Sequence, residues 1–475
     1  MKRTKIVATV SDLNYGYDFL KGLYDRGVNV MRLNTAHQTP EDTAKVCAAI
    51  KDVAPDLAVL VDTKGPEIRT NPKIEGELPV KTGDKLVIRA DEPGVAPSTA
   101  AAVQVNYAGF VKDVPVGTSI LIDDGYLEVI VKEKTEEELI CEVMNDGEIK
   151  KKKSVNVPGV HINLPSVTDR DKTFIEMCID NDVDFIAHSF VRNKQDILDV
   201  QEILDAKGKD IKIIAKIENQ EGVDNLDEIL EVAYGVMVAR GDLGIEIPGE
   251  NVPLVQKGMI EKCRKASKPV ITATQMLESM IDNPRATRAE ISDVANAILD
   301  GTDAIMLSGE TAYGKWPFNA VDTMTRIANH VEAQLEQDPA TDFVQDSSDL
   351  QAYVAKAAYR ASNDLDLGAF VVPSRTGGTA RELASYRPSI PVYAACYDAN
   401  SVRPLALSYG VYAYAIEVEK RSEVMLNSLE PLLKDEKLND EAVIASIMST
   451  PGSPYGETNR LEVNTVKAII ENAKR

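Results

Sequence analysis

The chain has 475 residues, too many for one hydrophobic core, so two or three domains are expected. With 44% hydrophobic residues and a mean hydropathy of -0.18 it reads as a globular chain, no apolar run approaches the roughly 18 residues of a membrane span, and a net charge of -22 argues against nucleic acid or an acidic membrane as partner. The five cysteines, Cys47, Cys141, Cys178, Cys263 and Cys396, stand far apart with no CxxC spacing, which points to buried inert thiols rather than disulfides or a thiolate metal site.

The opening MKRTKIVATV carries an apolar stretch of only about six residues with no small-residue cleavage site behind it, so it reads as a first strand and the protein as cytosolic. Strands are predicted over 5–10, 28–34, 57–63, 184–190, 211–218, 234–240, 269–274 and 303–308, alternating with amphipathic helical stretches. Eight such units close an α/β (β/α)8 TIM barrel. Polar residues gather at the carboxyl ends of those strands: Arg32 and Asn34, Asp62 and Lys64, Ser189 and Arg192, Lys216 and Glu218, Arg240 and Asp242, Thr274, then Ser308 and Glu310. A barrel brings these ends to one mouth, where residues distant in sequence meet.

Between the third strand and its helix, expected over 169–182, lies an insertion far longer than the ~2 to 6 residues of an ordinary βα loop. Its runs DKLVIRAD, SILIDDGYLEVIVKEK and ELICEVMNDGEI alternate apolar and polar residues around Asp-Gly and Asn-Asp-Gly turns, predicting a small antiparallel β-barrel domain placed to act as a lid. The four lysines Lys150 to Lys153 in it read as a solvated positive patch. After the polar stretch 336–349 a further α/β unit is predicted: helix 350–363, strand 369–374, helix 378–386, strand 392–397, a helix near 401–407, strand 411–418, helix 422–433 and strand 441–448. The expected domains are thus 1–67 with 164–336, the insertion 68–163, and 345–475.

The chemistry is densest in IKIIAKIEN followed by YGVMVARGDLG. Lys216 and Glu218 are two apart on one strand and share a face, and Asp242 follows a strand end in a turn opened by Gly241 and Gly244. Two hard carboxylates and an ammonium make a site for a divalent cation bound to an anionic substrate. Lys216 could be a Schiff-base nucleophile or a cation facing a phosphoryl group; the neighbouring acids keep it protonated, which favours the second role. Arg32 can grip phosphate oxygens bidentately, and the backbone amides of Gly241 and Asp242 suit a substrate carboxylate.

Together DTKGPEIRT, KIEN, ARGDLG, ATQMLESM and ISDVANAILDGTDAIMLSGETA, in this order at these strand ends, closely resemble pyruvate kinase over essentially the whole chain. The resemblance implies transfer of the phosphoryl group of phosphoenolpyruvate to ADP, giving pyruvate and ATP. It implies Mg2+ (or Mn2+) on Glu218 and Asp242, with Arg32 and Lys216 neutralising the phosphoryl group. Thr274 would bind the substrate carboxylate or place the proton-donating water, in a relay that includes Ser308. Asn34, His37 and Arg69 would border the nucleotide, and Asp124 on the lid would approach on closure. A K+ site is implied by Asn34, Asp62 and Thr63, with Glu67 like the potassium-dependent members.

Two departures stand out. The family's Arg-x-Asn-Phe-Ser-His reads here Arg32, Leu33, Asn34, Thr35, Ala36, His37, so Ala36 lacks the hydroxyl expected to ligate K+; Ser11 and Asp12 replace a Gly-Pro beside the nucleotide. In the last unit Ser374, Arg375, Thr376, Gly377, Gly378 and Thr379 lie between a strand and a helix and resemble the family's effector-phosphate loop. The loop 449–459 lacks Trp and Arg, which favours a sugar monophosphate or AMP over a bisphosphate. Segment 284–299 and the last domain resemble subunit contacts, implying a homotetramer. Two rival readings stay open: a magnesium-dependent barrel lyase making an enolate without a nucleotide, and a weakened regulatory relative.

Overall fold

The protein is a computed structural model that describes residues 1–36, 38–71, 77–91, 98–99, 102–335, 349–418, 420, 423–450 and 458–473. Eight strands, Lys5–Val10, Val30–Asn34, Ala58–Asp62, Phe185–His188, Lys212–Ile217, Gly235–Ala239, Val270–Ala273 and Ala304–Leu307, pair in parallel in sequence order, and the first closes on the eighth. The first matches its predicted span; the others begin a residue or two late, and all but the second, which ends at Asn34 as expected, also stop a residue or two early.

Burial on both faces explains why these strands read as near-continuous apolar runs. Val7, Val30, Leu60, Ala187 and Ile214 fill the barrel interior, while Ile6, Met31, Val61 and Ile213 face the helices. A period of two then carries the inward face on from Val7 to Thr9, Val30 to Arg32, Leu60 to Asp62, Ala187 to Ser189, and Ile214 to Lys216 and Glu218. The functional cluster is therefore the top layer of the barrel's own packing. The helices begin where capping chemistry allows: Thr168 and Thr287 each close a capping box, with Asp171 and Glu290, and Thr39 caps a helix opened by Pro40.

The insertion forms a six-stranded sheet, in the order Val155–Asn156, Ser119–Ile122, Leu127–Lys134, Glu138–Val143, Lys85–Ala90, Ala102–Val105, and a two-stranded ladder of Gly147–Ile149 with Leu78–Val80. Both feed one core of its own. Pairing is antiparallel as expected except between Lys85–Ala90 and Ala102–Val105, which run parallel. The expected lysine patch is partly spent on ion pairs: Lys150 meets Glu77 at 3.2 Å and Lys153 meets Asp123 at 2.8 Å.

The last unit is a five-stranded sheet with cores on both faces. Its order is Val411–Ala415, Val392–Cys396, Ala369–Ser374, Val443–Met448, Arg460–Thr465. The final strand, antiparallel at the edge, and the helix Val466–Ala473 were not expected, and the helix near 401–407 is instead two 3-10 turns, Ala399–Ser401 and Arg403–Leu407. Most of the polar stretch 336–349 and of the loop 449–459 lies outside the described residues. This unit docks on the floor of the barrel: Arg403 pairs with Asp184 and Arg387 with Asp303, each at 2.7 Å, and both acids sit just ahead of barrel strands. All five cysteines are buried, and burial pushes the Cys47 thiol up to about 12.

His188, ending the fourth strand on its outer face, is fully buried with neither ring nitrogen hydrogen-bonded. Burial, opposed in part by Asp171 and Asp196, lowers it to about 4. A base depressed in the folded state is neutral in both states above about 6.5; below that the unfolded chain binds the proton first, so stability falls as pH drops through 6.5 towards 4. His188→Leu should therefore flatten urea-unfolding free energy against pH, recovering up to about 3 kcal/mol near pH 4. An unchanged acid limb would assign that loss to other groups.

Candidate active site

At the barrel mouth the inward residues of the first five strands form one hydrogen-bonded cluster. Arg32 donates from Nε to Asp62 Oδ2 (2.7 Å) and from Nη1 to Thr9 Oγ1 (2.9 Å). Lys216 Nζ lies 3.0 Å from Asp62 Oδ1, 3.0 Å from Glu218 Oε1, and donates to Ser189 Oγ at 2.6 Å. Glu218 Oε2 accepts the Phe190 backbone N–H at 2.7 Å. Asp62 and Glu218 are each 1% exposed, so these charges interact with little water to screen them.

The electrostatics follow. Burial works against the Asp62 charge, but Lys216 and Arg32 beside it hold its carboxyl below the usual range. Burial also opposes the Lys216 ammonium, and Asp62 and Glu218 outweigh it, so the lysine stays protonated well above its ordinary value. A lysine so held cannot be the neutral amine a Schiff base requires.

Asp242 stands in the first turn of the helix Arg240–Glu246, within hydrogen-bond reach of Glu218. Burial pushes both carboxyls upward, helped at Glu218 by the Asp242 charge and at Asp242 by those of Glu67 and Asp124, while Lys216 pulls against the rise in each and the hydrogen bond with Glu218 eases it at Asp242. Beside them Thr274 has φ +66°, which a β-branched residue adopts only under strain, and Gln275 follows at +52°. Arg240 braces that turn, donating to Thr274 O at 2.7 Å and Ala273 O at 3.2 Å while pairing with Asp293 at 2.7 Å. The Gly241 N–H, expected to meet a substrate carboxylate, donates to Thr274 Oγ1 at 2.8 Å, so a ligand there would take over that bond. Ser308 caps the short helix Gly309–Ala312, its N–H on Glu310 Oε2 at 2.6 Å.

A cleft of about 1080 Å³ opens over this cluster between barrel and insertion, with Asp242, Thr274 and Asn34 on one wall and Asp124 and Ser154 on the other. Arg69 lies at the hinge, clamped by both oxygens of Glu67 (2.8 and 2.9 Å) and donating to Lys152 O at 2.6 Å. Asp124 accepts from Ser154 Oγ at 2.6 Å. The oxygens expected to hold K+ already serve protein donors: Asn34 Oδ1 the Ala36 N–H (3.0 Å), Thr63 O the Ser189 hydroxyl (2.7 Å), and Thr35 Oγ1 donates to Asp62 O (2.9 Å). His37 lies outside the described residues. Among the described residues no three His, Cys, Asp or Glu side chains cluster as a metal site, so any metal here rests on two carboxylates.

Ser189, Thr9 and Arg240 take part without having been assigned roles. The alternation Ala187 to Ser189 and Val7 to Thr9 was the available signal; that Ser189 reaches Lys216 depends on strand pairing alone.

In the last unit a second cavity, about 840 Å³, is lined by Ser374, Arg375, Thr376, Gly378 and Thr379. Gly377 donates its N–H to Ser374 Oγ at 2.9 Å with φ +76°, and a Cβ there would stand 2.6 Å from Leu405, so the turn requires glycine. Thr379 Oγ1 shares a buried 2.7 Å bond with Thr458.

Comparison with known proteins gives a consistent answer. Residues 1–321 match the family described as "Pyruvate kinase, barrel domain" and residues 352–464 "Pyruvate kinase, alpha/beta domain". A pyruvate kinase of Borreliella burgdorferi is 50% identical over 99% of this chain and 98% of its own length, and one of Bacillus licheniformis 43% identical over 99% and 81%. The crystal structure of a pyruvate kinase from Cryptosporidium parvum superposes with TM-score 0.92 at 34% identity, covering 98% of this chain and 96% of that one.

Proposed function

This chain belongs to the pyruvate kinase family, and from that premise we propose that it transfers the phosphoryl group of phosphoenolpyruvate to ADP, yielding pyruvate and ATP in the last step of glycolysis. The observation that carries the reading is the Lys216 ammonium, held between Asp62 and Glu218, with Asp242 in reach of Glu218 and lining the cleft between barrel and insertion.

The donor set suits Mg2+ or Mn2+. Glu218 is buried and Asp242 partly so, and both are pushed up by burial and by neighbouring negative charge, Asp242 at Glu218 and Glu67 with Asp124 at Asp242, which a dication would offset; Mg2+ keeps several non-protein ligands. When bound, the ion neutralises phosphoryl oxygens. The protein's own part is to position and neutralise. Arg32, fixed by Asp62 and Thr9, keeps Nη2 without a hydrogen-bond partner among the described residues for a phosphate oxygen. Lys216 spends all three protons at rest and exchanges the Ser189 hydroxyl for the transferring group, whose charge it meets in the transition state. The amides of Gly241 and Asp242 receive the carboxylate, and Thr274 binds it with them or, with Ser308, positions the water that supplies the proton to the enolate. Arg69, Asn34 and His37 border the nucleotide, and Asp124 arrives with the lid. Residues 1–67 with 164–336 are the catalytic unit, 68–163 the lid and 345–475 the regulatory unit.

A coupled pyruvate assay with phosphoenolpyruvate, ADP and Mg2+ tests this. Turnover that requires ADP is expected; pyruvate release without ADP would establish the lyase instead. For K+ the set is incomplete, because Ala36 offers no side-chain oxygen and Asn34 and Thr63 already accept protein hydrogen bonds, so no step is routed through it. Ala36→Ser should lower the K+ concentration for half-activation by about tenfold, the worth of one oxygen ligand at about 1.4 kcal/mol; an unchanged titration with K+ and Na+ would remove the 34–63 oxygens as the monovalent site.

The loop 374–379 at its cavity fits an effector phosphate of a sugar monophosphate or AMP. A cytoplasmic homotetramer is the assembly proposed by family likeness; no helix among the described residues is long and apolar enough to cross a membrane.

A further inference from the structure

Among the described residues, hydrogen bonds tie the insertion to the barrel on both rims of the cleft. On one rim the return segment is tied down by His161 Nδ1 and Glu221 Oε2 at 2.8 Å and by Arg192 Nη1 donating to Ile162 O at 3.1 Å. The His161 side chain there is 60% exposed, open to competition from water. On the other rim Asn156 Nδ2 donates to Glu246 Oε1 at 2.8 Å, between two partly buried groups.

The second contact joins the insertion to the helix that carries Asp242. Asn156 lies on the strand Val155–Asn156, paired with Leu121 and Ile122 of the insertion's main sheet, between Val155 and Val157, each 4% exposed in its core. Ser154, two residues back on the same side, holds Asp124. Glu246 closes the helix Arg240–Glu246, one turn after Asp242, and residues four apart on a helix share a face. Leu243, fully buried, anchors the adjoining face of that helix, and Asp242 and Glu246 line the cleft. Burial, eased by the Asn156 amide, pushes the Glu246 carboxyl up, as for a group made to sit there by its partner.

We propose that the Asn156–Glu246 hydrogen bond is the latch that seats the lid on the reaction centre, making Glu246 a positioning residue that ties lid closure to the helix bearing Asp242. The latch rests on the functional reading above only for its kinetic consequence. It sets how much of the time Asp124 and Arg69 stand over the cleft, and so acts chiefly on nucleotide binding.

The test uses the full chain, with hydrogen exchange of resting enzyme over 150–164 and 240–247 alongside steady-state kinetics in ADP. Asn156→Ala and Glu246→Ala should each speed exchange in both segments and raise KM for ADP about tenfold, more than they lower kcat, as expected for losing a bond to a charged acceptor. The double variant should be no worse than either single one. Glu246→Gln keeps an acceptor oxygen and should stay within about twofold of the parent. Asn156→Asp sets two carboxylates face to face and should fail, while Asn156→Asp with Glu246→Gln restores the bond with its polarity reversed. Unchanged exchange and KM in the single variants would overturn the latch, as would equal defects in Glu246→Gln and Glu246→Ala with no recovery in the swap. Absence of ADP-dependent turnover in the parent would instead overturn the functional reading, and the exchange measurements would still decide the latch.

Discussion

Lys216→Met should lose phosphoryl transfer almost entirely, with kcat down by about 10³-fold or more, in the range measured when one electrostatic group facing a transferring or developing charge is removed. The reason is positional. Lys216 Nζ stands within 3.0 Å of one carboxylate from the third strand and one at the end of its own, the fifth, its charge is secured by them, and no other ammonium among the described residues joins that cluster. Methionine keeps the length of the stem and removes the charge. It also leaves Asp62 and Glu218 buried without their shared cation, a loss of about 3–5 kcal/mol when a buried pair is broken one-sidedly. The circular-dichroism spectrum should therefore be retained while Tm falls, and Mg2+ should recover part of the difference by supplying the missing positive charge. Turnover near that of the parent would remove Lys216 from the chemistry.

Asp242→Asn and Glu218→Gln should separate activity from stability in opposite directions. Without metal, each acid is disfavoured by burial, reinforced at Glu218 by Asp242 and at Asp242 by Glu67 and Asp124, so neutralising either relieves strain in the resting protein. Tm in chelator should hold or rise. With metal the order reverses: the parent gains about 2.7 kcal/mol at an ion concentration 100 times Kd, and the variants should lose most of that gain. Catalysis should fall by about 10³-fold, and raising Mg2+ should recover part of it. A variant that keeps the full Mg2+-dependent rise in Tm would place the ion on other ligands.

Much of this was legible because it is local. Polar residues at the carboxyl ends of the predicted strands, and the spacing of two between Lys216 and Glu218, already marked Arg32, Asp62, Lys216, Glu218 and Thr274, because a barrel's geometry requires strand ends to meet. The Gly-Asp turn marked Asp242 for the same reason. Boundary errors were small where the ladder alone decides the end, as at Phe185–His188, and larger in the last unit, where the edge strand Arg460–Thr465 is held by pairing with Val443–Met448 and carries a weak pattern of its own.

The amino-acid sequence by itself determined the barrel, the position of the insertion, the inward charged residues and the family, because period, turn chemistry and residue type act over a few neighbours. Tertiary structure alone decided who bonds to whom: that Ser189 receives Lys216, that Gly241 is spent on Thr274, that Asn34 and Thr63 are taken, and that Asn156 reaches Glu246 across 90 residues. Hydrogen bonds need their partners within about 3 Å, and only the closed barrel with its docked lid brings such distant groups that close.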